Sequence, residues 1–112
     1  MSFRRGIRLG LDVGSVRVGV ARTDPEGILA VPVATLRRNP AKKDIQELVS
    51  LIGEYEPLEI VVGLPVTLRG ESGHAVEAAV SYAYDLHNTL AGNHLTVPIR
   101  LIDERMSTTQ AH

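Results

Sequence analysis

The 112-residue chain contains no cysteine and no tryptophan, and its aromatic side chains amount to one phenylalanine and three tyrosines. Without thiols there can be no disulfide framework, no thiolate metal site and no cysteine nucleophile. The four histidines, His74, His87, His94 and His112, are too scattered for an HxH or HExxH zinc pattern. Any metal must therefore sit on carboxylates. So few aromatics argue against a single-strand binder built on base-stacking platforms. No apolar run approaches the roughly 20 residues that cross a bilayer, and the amino terminus lacks the hydrophobic region of a signal peptide. A cytoplasmic protein without membrane association is expected.

Apolar residues make up 44% of the chain, enough for one core, and the length excludes two independent domains. The net charge of -1 conceals an uneven distribution. Residues 1–43 hold nine of the twelve basic side chains (Arg4, Arg5, Arg8, Arg17, Arg22, Arg37, Arg38, Lys42 and Lys43) against three acids, while the remainder holds three basic groups and ten acids. This split suits a phosphate-facing basic surface on an otherwise acidic fold, and equally a set of solvated faces.

The hydropathy pattern predicts the element order. Ile7 to Val13 and Arg17 to Thr23, joined by Gly14-Ser15, read as a β-hairpin. After the turn signal Asp24-Pro25-Glu26-Gly27, Ile28 to Leu36 reads as a third strand, with Pro32 marking an edge. Asn39-Pro40 offers a helix cap and first position, and Ile45, Leu48, Val49, Ile52 and Tyr55 trace an amphipathic stripe ended by Pro57. Glu59 to Pro65 has the look of a buried parallel strand, and Val66 to Gly73 that of a loop. A second stripe through Val76, Ala79, Val80, Ala83, His87 and Leu90 ends near Gly92-Asn93, and Val97 to Ile102 forms a fifth strand. Ser107 and Gln110 have capping-box spacing for a third helix, of which the chain contains only the start. The expected fold is α/β: a three-strand antiparallel meander plus two parallel crossover strands in one mixed five-stranded sheet, flanked by helices. Residues 1–112 then form one domain, incomplete at its carboxyl end.

In sheets of this kind ligands collect beyond the carboxyl ends of parallel strands. Three segments lie at such ends: Asp12-Val13-Gly14-Ser15, Gly63-Leu64-Pro65 and Asp103-Glu104-Arg105. If the first, fourth and fifth strands are parallel neighbours, Asp12 and the Asp103/Glu104 pair approach each other. A carboxylate cluster of this type suits Mg²⁺ or Mn²⁺, and two such ions can clamp the attacking and leaving oxygens of a phosphodiester. Each residue also has a plainer role available. Asp12 can cap its turn, Gly14 and Gly19 can serve the hairpin backbone, and Asp103 or Glu104 can favour a helix amino end. Arg105 can pair with an acid or contact phosphate. His87, on an apolar stripe, reads as a packed residue.

The stretches LDVGSVRVGVA, IVVGLPVTLRGESG and LIDERMST, in this order and spacing, resemble the YqgF family, described as Holliday junction resolvases and as pre-16S rRNA nucleases with the RNase H-like fold. The resemblance spans nearly the whole chain. It implies a metal-dependent nuclease acting on structured nucleic acid, either branched DNA in recombination and repair or pre-rRNA in ribosome biogenesis. By that resemblance Asp12 matches the first-strand catalytic aspartate and Glu104 the second catalytic carboxylate, both as metal ligands for Mg²⁺ or Mn²⁺. Gly63, Leu64 and Pro65 match the substrate-side loop; Gly14, Ser15, Arg17 and Arg105 are further candidate substrate contacts. The family's third acid lies on a later helix and has no counterpart before His112, which implies a weakly held second ion and poor cleavage by this chain. A catalytically silent nucleic-acid or ribosome-binding module of the same fold is the alternative, and a homodimer is left open. The DVGS segment alone is shared with the ATP-holding hairpins of the actin and sugar-kinase superfamily, but those need a second such domain that 112 residues cannot contain.

Overall fold

The structure, a computed structural model, describes residues 6–25, 29–64 and 73–103. Its elements run β1 (Leu9–Val13), β2 (Arg17–Thr23), β3 (Ala30–Arg37), α1 (Lys43–Tyr55), β4 (Ile60–Leu64), α2 (Gly73–Gly92) and β5 (Ile99–Asp103). They form one sheet in the order β3-β2-β1-β4-β5. The β1–β2 and β2–β3 pairs are antiparallel, and β4 is parallel to both β1 and β5. The expected meander with two parallel crossover strands is the observed topology. The start of a third helix at Ser107 lies outside the described residues.

Alternation along the strands assigns the two faces. Leu9, Leu11, Val13, Val18, Val20, Ile60 and Val62 are buried on one face, against Ile45, Leu48 and Ile52 of α1 and Ala79, Tyr82, Ala83, Leu86 and Leu90 of α2. Gly10, Val61 and Gly63 lie on the other face and are half-buried. The register of β2 on β3 shifts at Val20/Ala21, where Val20 pairs with Ala34 and Ala21 with Pro32. This bulge and the missing N–H of Pro32 fall on the edge strand β3, where an unmade ladder bond costs least.

Two local predictions need correction. Asn39-Pro40 does not open the helix. Asn39 Oδ1 accepts from the Ala41 N–H at 2.8 Å and its carbonyl from the Lys42 N–H at 2.9 Å, closing a turn that delays α1 to Lys43. An asparagine side chain bonding the backbone two residues ahead competes with helix capping. Lys42 takes the left-handed conformation at the junction, with φ of 61°. The buried stripe of α2 is also rotated from the one expected, running through Tyr82 and Leu86 rather than Val80 and His87, and His87 is exposed. Alanines within and beside the stripe, Ala79 and Ala83 buried and Ala78 half-buried next to them, make the apolar pattern ambiguous about which way the helix turns.

Candidate nuclease site at the carboxyl ends of the parallel strands

Asp12 is exposed at the carboxyl end of the central strand β1. It pairs with Gly19 of β2 on one side. On the other side Leu11 pairs with Val62, so the next residues, Asp12 and Gly63, stand level across the parallel ladder. The carboxylate thus rises from a row with glycine at both neighbouring positions. A Cβ built on Gly19 would lie 3.8 Å from the Asp12 Cβ, and larger side chains there would crowd the carboxylate. Beyond Gly63 the row continues to Ile102, and the next row ends at Leu64 and Asp103. Two strand spacings separate β1 from β5, about 10 Å, with no side chain on Gly63 between them.

The β1–β2 turn beside Asp12 is tightly fixed. The Gly14 N–H donates to the Arg17 carbonyl at 2.8 Å, and a Cβ on Gly14 would meet that same oxygen at 2.9 Å, so glycine is required by close approach. From the other side, Arg38 Nη1 donates to the Gly14 carbonyl at 2.8 Å, and the Arg38 backbone N–H donates to Val16 at 2.7 Å. The Arg38 guanidinium lies over the Tyr82 ring, 5.1 Å from its centroid. The Tyr82 hydroxyl donates in turn to the buried Asp44 carboxylate at 3.0 Å. Burial, followed by the hydrogen bond to Asp44, pushes the Tyr82 phenol well above the ordinary tyrosine range. Asp44 sits in the first turn of α1, where unpaired amides and the helix dipole favour a negative charge.

The sequence-derived site residues are therefore placed as follows. Asp12, Gly14, Ser15 and Arg17 gather at the β1–β2 turn, and Gly63 and Leu64 at the adjoining end of β4. Pro65, Glu104 and Arg105 lie outside the described residues. Among the described residues no group of three or more His, Cys, Asp or Glu could hold a metal. Asp12 has the chemistry a hard divalent ion requires, an exposed oxygen donor at a strand end with glycine at the neighbouring position of each adjoining strand. The supporting Arg38–Tyr82–Asp44 chain was not legible in sequence as a unit, because Tyr82 is 38 residues from Asp44 and meets it only once α1 and α2 pack. The only hint was an acidic residue one position before an apolar helical stripe.

A larger concavity among the described residues lies elsewhere. It measures about 900 Å³ and lies between the outer face of α2 and β5, lined by Tyr84, His87, Leu95, Val97 and Leu101 among others, with no carboxylate. Its composition does not suit phosphodiester chemistry.

Comparison with known proteins gives the family. Residues 6–112 match the family model described as "RuvX: Holliday junction resolvase". The chain belongs to this family. It is 47% identical over 109 residues to a Thermobifida fusca protein named "Putative pre-16S rRNA nuclease", covering 97% of this chain and 65% of that protein. A Nocardia farcinica protein of the same name is 50% identical, with 96% and 61% covered. The chain thus spans about three-fifths of the length of the curated relatives it matches. Among solved structures, RuvC of T. thermophilus, in complex with a Holliday junction substrate, superposes with a TM-score of 0.58 at 15% identity, covering 88% of this chain and 63% of RuvC. At that identity the likeness concerns the fold, the RNase H-like sheet with its helices. No helix among the described residues is long and apolar enough to cross a membrane.

Proposed function

We propose that this chain carries the metal-binding carboxylates of a nuclease that hydrolyses phosphodiester bonds in structured nucleic acid, a branched DNA or the 5′ end of pre-16S rRNA. The observation that carries this reading is Asp12: an exposed carboxylate at the end of the central parallel strand, flanked by Gly19 and Gly63, in a RuvX-family chain. Glu104 is assigned as its partner. The assignment rests on the family resemblance and on sequence adjacency: Glu104 follows Asp103, the last residue of β5, and β5 is the strand next but one to β1.

Asp12 and Glu104 would hold Mg²⁺ or Mn²⁺, two ions in a complete site. When bound, these ions supply Lewis-acid charge at the phosphoryl oxygens. The chain's own residues supply placement. The turn Gly14-Ser15 and Arg17 at its exit present backbone and cationic contacts beside the reacting phosphate, and Gly63 and Leu64 border it from the β4 side; Pro65 and Arg105 are assigned as further contacts on the family resemblance. Rigid strand ends set these groups at fixed separations, which is the positioning part of catalysis. The surplus of basic groups in residues 1–43 steers a polyanion towards the same turn.

The testing experiment is cleavage of a four-way DNA junction and of a precursor rRNA in parallel, in Mn²⁺, by the chain and by D12N and E104Q. Cleavage that both substitutions abolish supports the reading, and the substrate cut identifies the nucleic acid. Binding of either substrate by a chain whose Mn²⁺ affinity is the same with and without D12N favours the silent binding module.

A further inference from the structure

Three residues beyond Asp12, on the side of the turn held by Arg38, a cleft of about 290 Å³ is lined by Ser15, Arg38, Asn39 and Pro40. Two of its side chains, Arg38 and Asn39, have a defined orientation. The guanidinium of Arg38 is fixed by the Gly14 carbonyl at 2.8 Å and by the Tyr82 ring beneath it. It has five N–H donors, so the bond to Gly14 leaves most of the fork for other acceptors. The Asn39 Oδ1 accepts from the Ala41 N–H at 2.8 Å, so the same side chain must present its NH₂ group elsewhere, as a donor. Ser15 adds a hydroxyl. Arg38 and Asn39 therefore present donors, Ser15 a hydroxyl able to donate, and the surroundings are cationic. Arg17 and Arg37 are register partners on β2 and β3, both exposed, and Lys43 is exposed at the start of α1. Of the nearby acids, Asp12 is exposed three residues before Ser15, Asp44 is buried and bonded to Tyr82, and Asp85 is paired with Lys42 at 3.5 Å.

A pre-oriented arginine fork with amide and hydroxyl donors, in a cationic setting, matches the tetrahedral oxygens of a phosphodiester. The arginine is held before any ligand arrives, so little side-chain entropy is lost on binding. The separation also fits a polymer. Three residues of chain span at most about 10 Å, which puts the cleft within the reach of a strand whose reacting phosphate lies at Asp12. We propose that Ser15, Arg38 and Asn39 form a second phosphate subsite, which binds a backbone phosphodiester of the nucleic acid away from the bond to be cut and thereby sets its register on Asp12. The proposal deepens the nuclease reading and rests on it for the role of Asp12. The binding itself requires neither metal nor cleavage.

The test is affinity for a four-way DNA junction and for an RNA hairpin, measured in EDTA across a range of salt. Two variants separate binding from folding. R38Q removes the fork but also the Gly14 contact, so the turn can shift. N39D keeps the oxygen that accepts from Ala41, preserving the turn, while replacing the NH₂ donor with a negative charge. Each variant is expected to lose about tenfold in affinity, with a salt slope shallower by about one ion for R38Q. A substrate with one backbone phosphate neutralised as a methylphosphonate should show the same loss with the unsubstituted protein and no further loss with R38Q. The nucleic acid that registers these losses, DNA or RNA, is the one the subsite takes. Unchanged affinity of folded N39D for both, or additive losses for R38Q and the methylphosphonate at every position, overturns the proposal. Because no metal is present, these outcomes are independent of whether D12N abolishes cleavage in Mn²⁺, which tests Asp12 separately.

Discussion

Asp12 and Gly19 face each other across the β1–β2 ladder, with 3.8 Å between the aspartate Cβ and the position a Cβ on Gly19 would take. The absence of a side chain at residue 19 leaves the carboxylate accessible from that side. Gly19→Val should therefore be tolerated by the fold, since a β-branched residue suits a strand, yet its methyl groups would crowd Asp12. The expected result is an unchanged melting temperature within a few degrees and about tenfold weaker Mn²⁺ binding, as for other changes beside a metal ligand. Parallel thermal melts and Mn²⁺ titrations check both.

The Tyr82–Asp44 hydrogen bond ties α2 to the first turn of α1 inside the core. Tyr82→Phe leaves a buried carboxylate without its donor, which should cost about 1–3 kcal/mol in urea unfolding near neutral pH. The folded chain also holds the phenolic proton more tightly than the unfolded chain, through burial and then through Asp44. That contribution is complete below the unfolded tyrosine pKa of about 10 and declines as pH rises above it. Between pH 9 and 11 the unfolding midpoint should fall more for the wild type than for Tyr82→Phe.

Gly14→Ala places a methyl group 2.9 Å from the Arg17 carbonyl that closes the turn. Either the hydrogen bond or the turn must yield, at about 1–3 kcal/mol. A drop of this size in urea-derived stability, with faster exchange of the amides at 14 to 17, is the expected outcome.

At the opposite end of the sheet Glu59 joins three strands' worth of chain. Its carboxylate accepts from Arg8 Nε at 2.8 Å and pairs with Arg100 Nε at 3.1 Å. With the Glu59 side chain 17% exposed, the pairs are only partly screened. Glu59→Ala should destabilise by about 1–2 kcal/mol at low salt and by less at 1 M, measured by urea unfolding at both ionic strengths.

The sheet could be read from the sequence because its signals are local. Gly14-Ser15 and Asp24-Pro25 fix the hairpins, and a short apolar run from Ile60 closed by Gly63-Leu64-Pro65 marks a parallel strand. The helix periodicity of α1 placed Ile45, Leu48 and Ile52 in the core, where they lie. What depended on tertiary packing was less visible. The Asn39 side chain could cap a helix or close a turn, and the choice was decided by the chain's path from β3 into α1. Tyr82 and Asp44 look like surface residues until their helices meet, since each offers a polar group that water would satisfy equally well. For the site, Asp12 was legible because a carboxylate at the end of an apolar strand is conspicuous, whereas the glycines at 19 and 63 gain meaning only from the register that puts them on either side of it.

The central claim is that Asp12 binds the divalent ion of a nuclease site. It is tested most directly by titrating Mn²⁺ into the chain and into D12N, following the proton relaxation of bulk water or the free-ion paramagnetic resonance signal. The account predicts saturable binding by the unsubstituted chain and at least tenfold weaker binding by D12N, with the same fold by circular dichroism. Equal Mn²⁺ affinity in the two proteins would contradict it.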